Sequence, residues 1–558
     1  MNAAPAKNRN RARFNLRGRL ALVLGAMGLC SVSLVGRAAY VQLINHDFYQ
    51  RQGDARFLRE IPIPTSRGMI TDRNGEPVAV SSPVESVWGN PQELLKTPDR
   101  LPELAQALGV PLDHLTNRLS QKADKEFLYL KRRINPDEAQ KILAHKIPGV
   151  FAQREFRRFY PQGPAMAHVL GFTNIDDRGQ EGLELAFDEW LSGTPGVQKV
   201  IRDNRGRIVE NVDLIRSAQP GKDLTLSIDR RIQYLAHREL RNALLEHQAS
   251  SGSIVIMDVA TGEVLAMVNL PTYNPNAIDR VKPDARRNRA LTDMIEPGST
   301  MKPLTVSTAL KAGVVTPSTL VNTNPGYMAL NSRYTIRDVP RNNGVLTVTG
   351  VITKSSNIGS IKIAEKLPND YFYESIHSFG YGQKPGSGFP GESAGMLAPP
   401  DRWNGLQKAT MSYGYGLAVT PLQIARAYSA LGNGGRLVTP TFVKGQRSEA
   451  PQVLDPAIAR EVVGMMETVV TQGGAKRAGV LGYRVAGKTG TAERADENGG
   501  YLKENYMSSF MGFAPAQSPK VLCYITLDGT PSGSDAAAVP FQSIMASALD
   551  VLGVPRTK

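Results

Sequence analysis

The chain has 558 residues, of which 41% are hydrophobic and 21% charged; this is the composition of a folded protein and enough length for two or three domains. Its formal net charge is +15, from 66 basic and 51 acidic residues. Because part of this excess comes from the first 19 positions, it is weak evidence for a nucleic-acid-binding surface, and we expect no nucleic-acid partner. The basic residues there are Lys7, Arg9, Arg11, Arg13, Arg17 and Arg19.

An apolar segment follows this basic arm of residues 1–19. Residues 20–44 carry a charge only at Arg37, and they are long enough for a tilted transmembrane helix in which the Arg37 side chain reaches toward the membrane surface. A cleaved signal peptide fits less well, because cleavage after Ala39 would place Arg37 where a small residue is required. The basic arm predicts that the N-terminus stays in the cytoplasm and that the chain beyond the anchor is exported.

Cysteine and histidine usage gives no sign of a disulfide framework or a metal site. Cys30 and Cys523 cannot usefully pair if Cys30 lies in the bilayer, so an exported domain must obtain its stability from the size of its core. The seven histidines show no spacing typical of metal ligands. We therefore predict no metal and no cofactor.

Residues 45–218 combine short β-like runs, turns and helical segments. The stretch "RGMITDRNGEPVAV" (67–80) contains two strands joined by Asn74-Gly75, which predicts a β-hairpin. Residues 178–193 are predicted to begin a helix. Because this half contains no group of catalytic residue types, we predict that it is a scaffold or a partner-binding domain.

The pattern changes at residue 219 and predicts a second domain over 219–558. A helix with apolar positions from Ile232 to Leu244 precedes "SIVIMDVATGEVLAMVN" (253–269), which reads as two buried strands joined by a tight turn. Further strands are predicted at 508–515 and 521–529, and a closing helix from about Ser534. Strands at both ends with helices between them favour an α+β fold in which an antiparallel sheet is flanked by helices.

Three short motifs in this second domain contain the residue types of a serine acyltransferase. They are Ser299-Thr300-Met301-Lys302, Ser355-Ser356-Asn357 and Lys488-Thr489-Gly490-Thr491. A helix beginning at the first motif would place Ser299 and Lys302 on one face. Taken alone, that motif could be a helix N-cap followed by a solvated lysine. The three motifs in this order, however, are the set found in penicillin-recognising serine enzymes.

The first group of motif residues is suited to nucleophilic catalysis. A serine hydroxyl needs a base to remove its proton, and Lys302 can be that base only when its amine is neutral. Burial and a nearby positive charge on Lys488 would lower the pKa of Lys302 in this way. Ser355 and Lys488 form a route that hands the proton to a departing amine. We therefore predict that the catalytic residues are Ser299, Lys302, Ser355 and Lys488.

The remaining motif residues are predicted to bind the substrate. Asn357 offers both a donor and an acceptor to a peptide. Gly490 would let the strand backbone approach the substrate closely, and Thr489 and Thr491 could bind a terminal carboxylate. The backbone N–H groups of Ser299 and Thr491 are candidates for an oxyanion hole.

With these motifs, and with "RGMITDRNG", "RFYPQG" and "GQEGLE" in its first half, the chain resembles the class B penicillin-binding proteins over nearly its whole length. It is similar to the FtsI-type peptidoglycan D,D-transpeptidases of Gram-negative bacteria. The resemblance implies a transpeptidase domain at 219–558, a mixed α/β pedestal domain at 45–218 and a single transmembrane helix at 20–44. It also implies a place in the bacterial inner membrane, with the catalytic domain in the periplasm.

The resemblance further implies substrates and partners. Ser299 would attack the D-Ala-D-Ala bond of a peptidoglycan stem peptide, release D-alanine and pass the acyl group to an amine on a neighbouring strand during septum formation. β-Lactams would acylate the same serine. The expected protein partners are an FtsW-type glycosyltransferase and other divisome proteins.

Several related functions share the same motifs. An elongation-type class B transpeptidase, a D,D-carboxypeptidase and a membrane β-lactam sensor stay open as alternatives. A sensor would need cytoplasmic signalling machinery, for which 19 residues leave little room. A class A β-lactamase fits less well, because it needs a Glu-x-x-Leu-Asn element, and Leu330-Asn331 has no glutamate three positions before the leucine.

Overall fold

A computed structural model describes residues 16–49, 58–202, 208–339, 341–495, 501–531 and 536–557. They divide into two compact units. The first contains the described residues of 1–64, 85–153 and 195–218, and the second contains those of 65–84, 154–194 and 219–558. The domain boundaries predicted at 19/20, 44/45 and 218/219 stay predictions.

The α-helices are numbered in chain order. They are α1 Leu16–Ala39, α2 Pro91–Leu94, α3 Leu101–Leu108, α4 Leu112–Gln121, α5 Pro136–Ala144, α6 Ala167–Leu170, α7 Gly182–Ala186, α8 Asp188–Leu191, α9 Arg230–Glu246, α10 Pro283–Arg286, α11 Arg289–Thr292, α12 Lys302–Lys311, α13 Val348–Lys354, α14 Asn357–Glu365, α15 Asn369–Ser378, α16 Gln407–Met411, α17 Pro421–Gly432, α18 Pro456–Thr471 and α19 Ala538–Val551. Short 3₁₀ turns lie at Pro98–Arg100, Gly163–Ala165, Ile278–Arg280, Gly298–Met301, Pro400–Arg402 and Lys476–Ala478.

The strands are numbered in the same way. They are β1 Leu58–Ile63, β2 Ile70–Thr71, β3 Pro77–Gly89, β4 Leu128–Ile134, β5 Val150–Phe159, β6 Gly196–Arg202, β7 Ile208–Arg216, β8 Leu224–Thr225, β9 Ser251–Asp258, β10 Val264–Leu270, β11 Leu320–Asn322, β12 Tyr327–Ala329, β13 Thr335–Arg337, β14 Val345–Thr347, β15 Ala486–Ala495, β16 Tyr501–Ala514 and β17 Val521–Thr530.

Helix α1 is the predicted apolar helix near the N-terminus. It continues as a π-helical turn over Tyr40–Ile44, and in the described part of the chain the segment Arg17–Ile44 is the one helix long and apolar enough to cross a membrane, with a mean hydropathy of 1.8. None of its most apolar window is buried against the rest of the protein. The guanidinium of Arg37 lies 5.3 Å from the centre of the Tyr40 ring, which places this charge next to an aromatic side chain of the kind common at membrane interfaces.

The first unit also contains two small assemblies of secondary structure. Strands β1, β6 and β7 form a three-stranded antiparallel sheet. A separate apolar cluster forms where helices α3, α4 and α5 pack together, and its fully buried members include Leu104, Leu115 and Leu119. The mixed α/β character predicted for this part of the chain is confirmed.

The hairpin predicted at 67–80 is present in the second unit. Strand β2 pairs with the start of β3, with Ile70 opposite Ala79, and the chain reverses at Asn74-Gly75. Gly75 has a φ of +86°, a conformation that favours glycine. The Asp72 side chain accepts the backbone N–H groups of Asn74 and Glu76, so the polar groups of the turn are satisfied.

The centre of the second unit is a five-stranded antiparallel sheet in the order β10-β9-β17-β16-β15. Helices α9 and α19 contact each other and the sheet, α17 and α18 also pack on the sheet, and α12 packs on α18. This confirms the predicted α+β fold with an antiparallel sheet flanked by helices. The predicted buried positions of α9 are confirmed by Ile232, Ala236 and Leu240, which are fully buried. The predicted start of the last helix, Ser534, lies outside the described residues.

Candidate active site

The first motif forms a tight turn that leads directly into helix α12. Residues Gly298–Met301 are a 3₁₀ turn, and the N-cap position of α12 is Met301, without a side-chain cap. Ser299 is therefore not the N-cap of this helix. Gly298 has a φ of +56° and its N–H donates to the carbonyl of Gly414, 3.1 Å away. The conformational freedom of glycine thus allows the sharp turn before Ser299.

The Lys302 amine lies at the centre of the site. Its Nζ atom is 2.9 Å from Ser299 Oγ, 3.1 Å from Ser355 Oγ, 2.6 Å from the Ser355 carbonyl oxygen and 2.7 Å from Asn357 Oδ1. The side chain is 0% exposed, so the alternative of a solvated first-turn lysine is wrong. The first and second motifs meet at this one nitrogen.

The partners of Lys302 can satisfy a neutral amine as well as a charged one. The Ser355 carbonyl and Asn357 Oδ1 can only accept, so they take the two N–H bonds of a neutral amine. The lone pair is then left for a hydroxyl, and Ser299 Oγ is within hydrogen-bonding distance. The geometry therefore allows the Ser299 hydroxyl to donate its proton to Lys302.

The electrostatic surroundings favour the same protonation state. Burial lowers the pKa of Lys302 well below its usual 10.5, and the positive charge of Lys488 lowers it further, while the Asp338 carboxylate acts in the opposite direction. Burial also lowers the pKa of Lys488, from 10.5 to about 7. A lowered pKa makes a neutral, basic amine more accessible on Lys302, and a lysine with a pKa near 7 can give and take a proton.

Ser355 connects the two lysines. Its Oγ atom lies 3.1 Å from Lys302 Nζ and 2.9 Å from Lys488 Nζ. Ser355 adopts the left-handed conformation, with φ 55° and ψ 42°, between helices α13 and α14. This conformation is strained for a serine. In this strained conformation, both the hydroxyl and the carbonyl oxygen of Ser355 lie within hydrogen-bonding distance of Lys302 Nζ.

Asn357 begins helix α14 with a fixed side-chain orientation. Its Nδ2 donates to the Arg337 carbonyl at 3.0 Å, and its Oδ1 accepts from Lys302. Because the Arg337 carbonyl can only accept, it requires the NH₂ end of the amide on its side and leaves the oxygen for Lys302.

The third motif lies on β15, which ends the order of strands in the central sheet. The Lys488 amine donates to the Thr489 carbonyl at 3.1 Å. A Cβ added at Gly490 would lie 2.3 Å from Ser509 Oγ, 3.1 Å from Thr300 Cγ2 and 3.3 Å from the Pro297 carbonyl. The close approach seen at Gly490 is therefore between β15 and the turn that carries Ser299. The predicted substrate-binding roles of Thr489, Gly490 and Thr491 stay predictions.

A cavity of about 550 Å³ opens beside Asn357. Aromatic and aliphatic side chains, among them Tyr334 and Tyr413, line it together with a similar number of polar ones, among them Arg337 and Glu493. A cavity of this size that combines apolar walls with several polar groups could hold an organic ligand or a peptide side chain.

Two contributors to the site were not found from the sequence. Asp338 carries no motif, and it reaches the second motif only through the fold. The segment 413–416, which contains two glycines, carries no motif either. In the structure, Gly414 packs directly on the turn of Ser299, and a Cβ added there would lie 1.9 Å from the Gly298 carbonyl oxygen. Neither position has a sequence signal that points to catalysis.

One further serine pattern occurs in the chain. Gly391-Glu392-Ser393-Ala394-Gly395 matches the Gly-x-Ser-x-Gly string of α/β-hydrolases. The structure places it in a stretch of turn and irregular chain, without the strand and helix that a nucleophile elbow requires. Ser393 is not part of the cluster around Lys302. Among the residues that the structure describes, no group of three or more His, Cys, Asp or Glu side chains could hold a metal ion.

Comparison with known families gives two matches that together span most of the chain. Residues 252–546 match the penicillin-binding protein transpeptidase domain, and residues 62–226 match the penicillin-binding protein dimerisation domain. The match to the transpeptidase domain contains all three motifs.

Curated relatives match over nearly the whole length. The chain is 41% identical over 543 residues to the probable peptidoglycan D,D-transpeptidase PbpC of Pseudomonas aeruginosa, covering 96% of each protein. It is also 41% identical over 562 residues to the peptidoglycan D,D-transpeptidase FtsI of Escherichia coli K12, covering 99% of this chain and 94% of the relative.

Solved structures agree with these matches. A peptidoglycan synthetase from Bifidobacterium adolescentis superposes with a TM-score of 0.72 at 26% identity, covering 90% of this chain and 98% of that one. Penicillin-binding protein 3 of Mycobacterium tuberculosis, crystallised with aztreonam, gives a TM-score of 0.69 at 28% identity, covering 89% of this chain and 98% of that one.

Proposed function

The chain belongs to the penicillin-binding protein transpeptidase family, and from that premise we propose that it is an FtsI-type peptidoglycan D,D-transpeptidase whose nucleophile is Ser299. The observation that carries the proposal is the buried Lys302 amine, held 2.9 Å from Ser299 Oγ by acceptors that leave its lone pair for the hydroxyl.

Acylation begins with the transfer of the Ser299 proton to Lys302. Ser299 Oγ attacks the carbonyl carbon of the D-Ala-D-Ala bond, and the backbone N–H groups of Ser299 and Thr491 stabilise the developing oxyanion. The C–N bond then breaks. The departing D-alanine amine takes a proton relayed through Ser355, whose Oγ lies between Lys302 and Lys488. The product of this half-reaction is an ester on Ser299.

The second half-reaction transfers the acyl group. An amine of a neighbouring stem peptide attacks the ester, a new amide bond forms and the Ser299 C–O bond breaks. Lys302 takes the surplus proton of the attacking amine, and the Ser299 oxygen recovers a proton through the same cluster. Atoms and charge balance without a cofactor.

The substrate is held by the residues around this cluster. Asn357 bonds the donor peptide, Thr489 and Thr491 bind the terminal carboxylate, and Gly490 keeps the strand close to the reacting centre. The cavity beside Asn357 receives a side chain of the donor peptide. β-Lactams acylate Ser299, since penicillin-binding protein 3 of M. tuberculosis was crystallised with aztreonam and with ampicillin.

The cellular setting follows from the anchor and from the relatives. The basic arm 1–19 lies in the cytoplasm, residues 20–44 cross the inner membrane, and the pedestal domain 45–218 and transpeptidase domain 219–558 lie in the periplasm. An FtsW-type glycosyltransferase and other divisome proteins are its partners in septum formation. Support comes from the apolar helix Arg17–Ile44 and from 41% identity to an FtsI protein.

Product analysis tests the proposal. The detergent-solubilised full chain is incubated with a donor stem peptide or its thioester analogue, together with an amino-acid acceptor amine. We expect a new amide product and release of the leaving group, both absent in Ser299→Ala. Hydrolysed donor as the sole product at saturating acceptor would make the protein a D,D-carboxypeptidase, and acylation without any turnover would make it a sensor.

A further inference from the structure

A buried carboxylate outside the three motifs is bonded to the second motif. Asp338 is 1% exposed and lies 19 positions before Asn357. Its Oδ1 accepts the backbone N–H groups of Asn357 and Ile358, at 2.8 and 3.1 Å, and its Oδ2 accepts the Ser356 hydroxyl at 2.5 Å. One carboxylate thus binds three consecutive residues at the start of helix α14.

We propose that Asp338 is a positioning residue for acylation, which holds Ser355 and Asn357 against Lys302 and places a negative charge near the buried Lys302 amine. The inference rests on the proposed function, because it assigns a role within the same reaction. Asp338 does not touch Lys302 through a hydrogen bond, so it acts through its neighbours.

Asp338 positions Ser355 through a chain of contacts. The two N–H groups that Asp338 accepts are among those that a helix leaves unsatisfied in its first turn, and the helix dipole favours an anion there. Fixing Ser356 and Asn357 also fixes Ser355, the preceding residue, which adopts a left-handed conformation unfavourable for serine. The carbonyl and hydroxyl of Ser355 then both reach Lys302.

The same short segment also orients the Asn357 side chain. The carbonyl of Arg337, next to Asp338, accepts Asn357 Nδ2 at 3.0 Å. Residues Arg337 and Asp338 therefore hold Asn357 at two points, by its backbone and by its amide. A displacement of this segment would move both acceptors that surround the Lys302 amine.

The charge argument is independent of these contacts. Two charged groups act on Lys302: the Lys488 ammonium from β15 lowers its pKa, and the Asp338 carboxylate from the chain before β14 raises it. The other groups around the amine, from Ser299, Ser355 and Asn357, are uncharged. Removing the Asp338 charge would therefore lower the pKa of Lys302 further.

The test is the Asp338→Asn variant of the full chain, which keeps the shape of the side chain and removes its charge. The rate of acylation by a fluorescent penicillin is measured by stopped flow from acidic to alkaline pH. We expect the rate at neutral pH to fall about 10- to 100-fold, the cost of a misplaced catalytic group. We also expect the rising limb of the pH–rate profile to move to lower pH, because Lys302 loses a charge that stabilises its protonated form.

Asp229→Asn is the matched control. Asp229 is a fully buried aspartate at the N-terminus of helix α9, where it accepts the Arg231 N–H, so the chemical change is the same at another helix. For Asp229→Asn we expect a lower melting temperature and a rising limb of the pH–rate profile at the wild-type position. Ser356→Ala provides a second probe if Asp338→Asn does not fold, since it removes a hydrogen bond and keeps the Asp338 charge. The acylation rate of Ser356→Ala should fall, and the rising limb of its pH–rate profile should stay at the wild-type position.

The outcomes separate the inference from the function it rests on. An Asp338→Asn protein with wild-type rate, or with a slower rate and an unmoved limb, would overturn the role of Asp338 while leaving Ser299 and Lys302 in place. A wild-type acylation rate for Ser356→Ala would show that the hydrogen bond between Ser356 and Asp338 does not position the second motif. Failure of the wild-type protein to be acylated would instead contradict the proposed function.

Discussion

At the scale of single residues, the account depends on two lysines buried within reach of one serine hydroxyl. Lys302 and Lys488 are both 0% exposed, and each lies within 3.1 Å of Ser355 Oγ. Two ammonium groups in such a place would repel each other and lose hydration, so the cluster favours at least one neutral amine. The proposed mechanism needs that neutral amine on Lys302.

The first prediction concerns Lys302 as the base. Lys302→Met keeps an unbranched apolar stem of similar size and removes the amine. We expect a folded protein whose acylation rate is lower by roughly 10²–10⁴-fold, the range for a positioned proton acceptor. Stopped-flow acylation and the melting temperature are the measurements. An unchanged rate in a folded variant would remove Lys302 from the mechanism.

The second prediction concerns stability and pH. In the folded protein the pKa of Lys488 is about 7, against a usual 10.5, so between these values the unfolded chain binds the extra proton and wild-type stability falls as pH falls. Lys488→Met lacks this effect. Its free energy of unfolding, relative to wild type, should therefore rise as pH is lowered from about 10.5 to 7 and level off below 7.

Chemical unfolding of the two full-length proteins across that pH range tests this prediction. Lys520→Met is the control, because Lys520 is an exposed lysine before β17. Its difference from wild type gives the background for a lysine that lies outside the buried cluster. A difference between Lys488→Met and wild type that depends on pH no more than this background would contradict a lowered pKa in the folded state.

At the scale of secondary-structure elements, the turn of Ser299 is held by the segment 413–416. Gly298 N–H donates to the Gly414 carbonyl at 3.1 Å, and Gly416 N–H donates to Glu296 Oε1 at 2.9 Å. Tyr415 Oη accepts the backbone N–H of Glu493, at 3.3 Å, from strand β15. One short segment therefore connects the turn of the first motif with the strand of the third.

The third prediction follows from this close packing. Gly414→Ala adds a Cβ that would lie 1.9 Å from the Gly298 carbonyl oxygen, at a φ of +96°, so the turn of Ser299 must move. We expect acylation to fall by about 10²-fold, the cost of misplacing a reacting group by 1 Å or so. Gly388→Ala is the control, because Gly388 has a φ of +76° and nothing within 4 Å of the added Cβ.

The control should lose about 1 kcal/mol of stability from backbone strain and keep its acylation rate. Equal acylation by Gly414→Ala and Gly388→Ala would show that the contact between the two glycines does not position the nucleophile.

Elements were predictable where a periodic pattern or a turn signal is strong. The Asn74-Gly75 hairpin, the buried strands β9 and β10 and the apolar face of α9 all follow from local sequence. The three motifs could be found because their residue types and order are distinctive. Their meeting around Lys302 and Ser355 could not be read from spacing, since it depends on how α12, α14 and β15 pack.

Asp338 shows why the rest of the site was missed. It lies in irregular chain between β13 and β14, with no periodicity and no motif, and two of its partners are backbone N–H groups. The reason for Gly490 was also beyond the sequence. A glycine on a strand indicates that another group approaches the backbone closely, but it does not identify that group. In the structure, the atoms nearest to a Cβ added at Gly490 belong to Ser509 and Thr300.

At the scale of the whole molecule, the proposal requires the catalytic domain to be outside the cytoplasm. The basic arm and the apolar helix Arg17–Ile44 favour a cytoplasmic N-terminus. The fourth prediction is that reporters fused after residue 60 are active when they require the periplasm and inactive when they require the cytoplasm. A cytoplasmic reporter active at this position would refute the topology.

The central claim is that Ser299 forms a lasting acyl-enzyme with a penicillin. Ester formation needs only the nucleophile, the base and the oxyanion donors, whereas hydrolysis also needs a held water and a second base. The Glu-x-x-Leu-Asn element that positions such a water in class A β-lactamases has no counterpart at Leu330-Asn331. The opened drug also keeps its leaving group attached, so that group can block the approach of an acceptor.

Whole-protein mass spectrometry after incubation with benzylpenicillin tests this claim most directly. The account predicts one adduct with the full mass of the drug, absent in Ser299→Ala and still present many minutes after free drug is removed. An adduct that also forms on Ser299→Ala would contradict the assignment of the nucleophile. An adduct lost within seconds, with steady consumption of the drug, would instead identify a β-lactamase and contradict the transpeptidase.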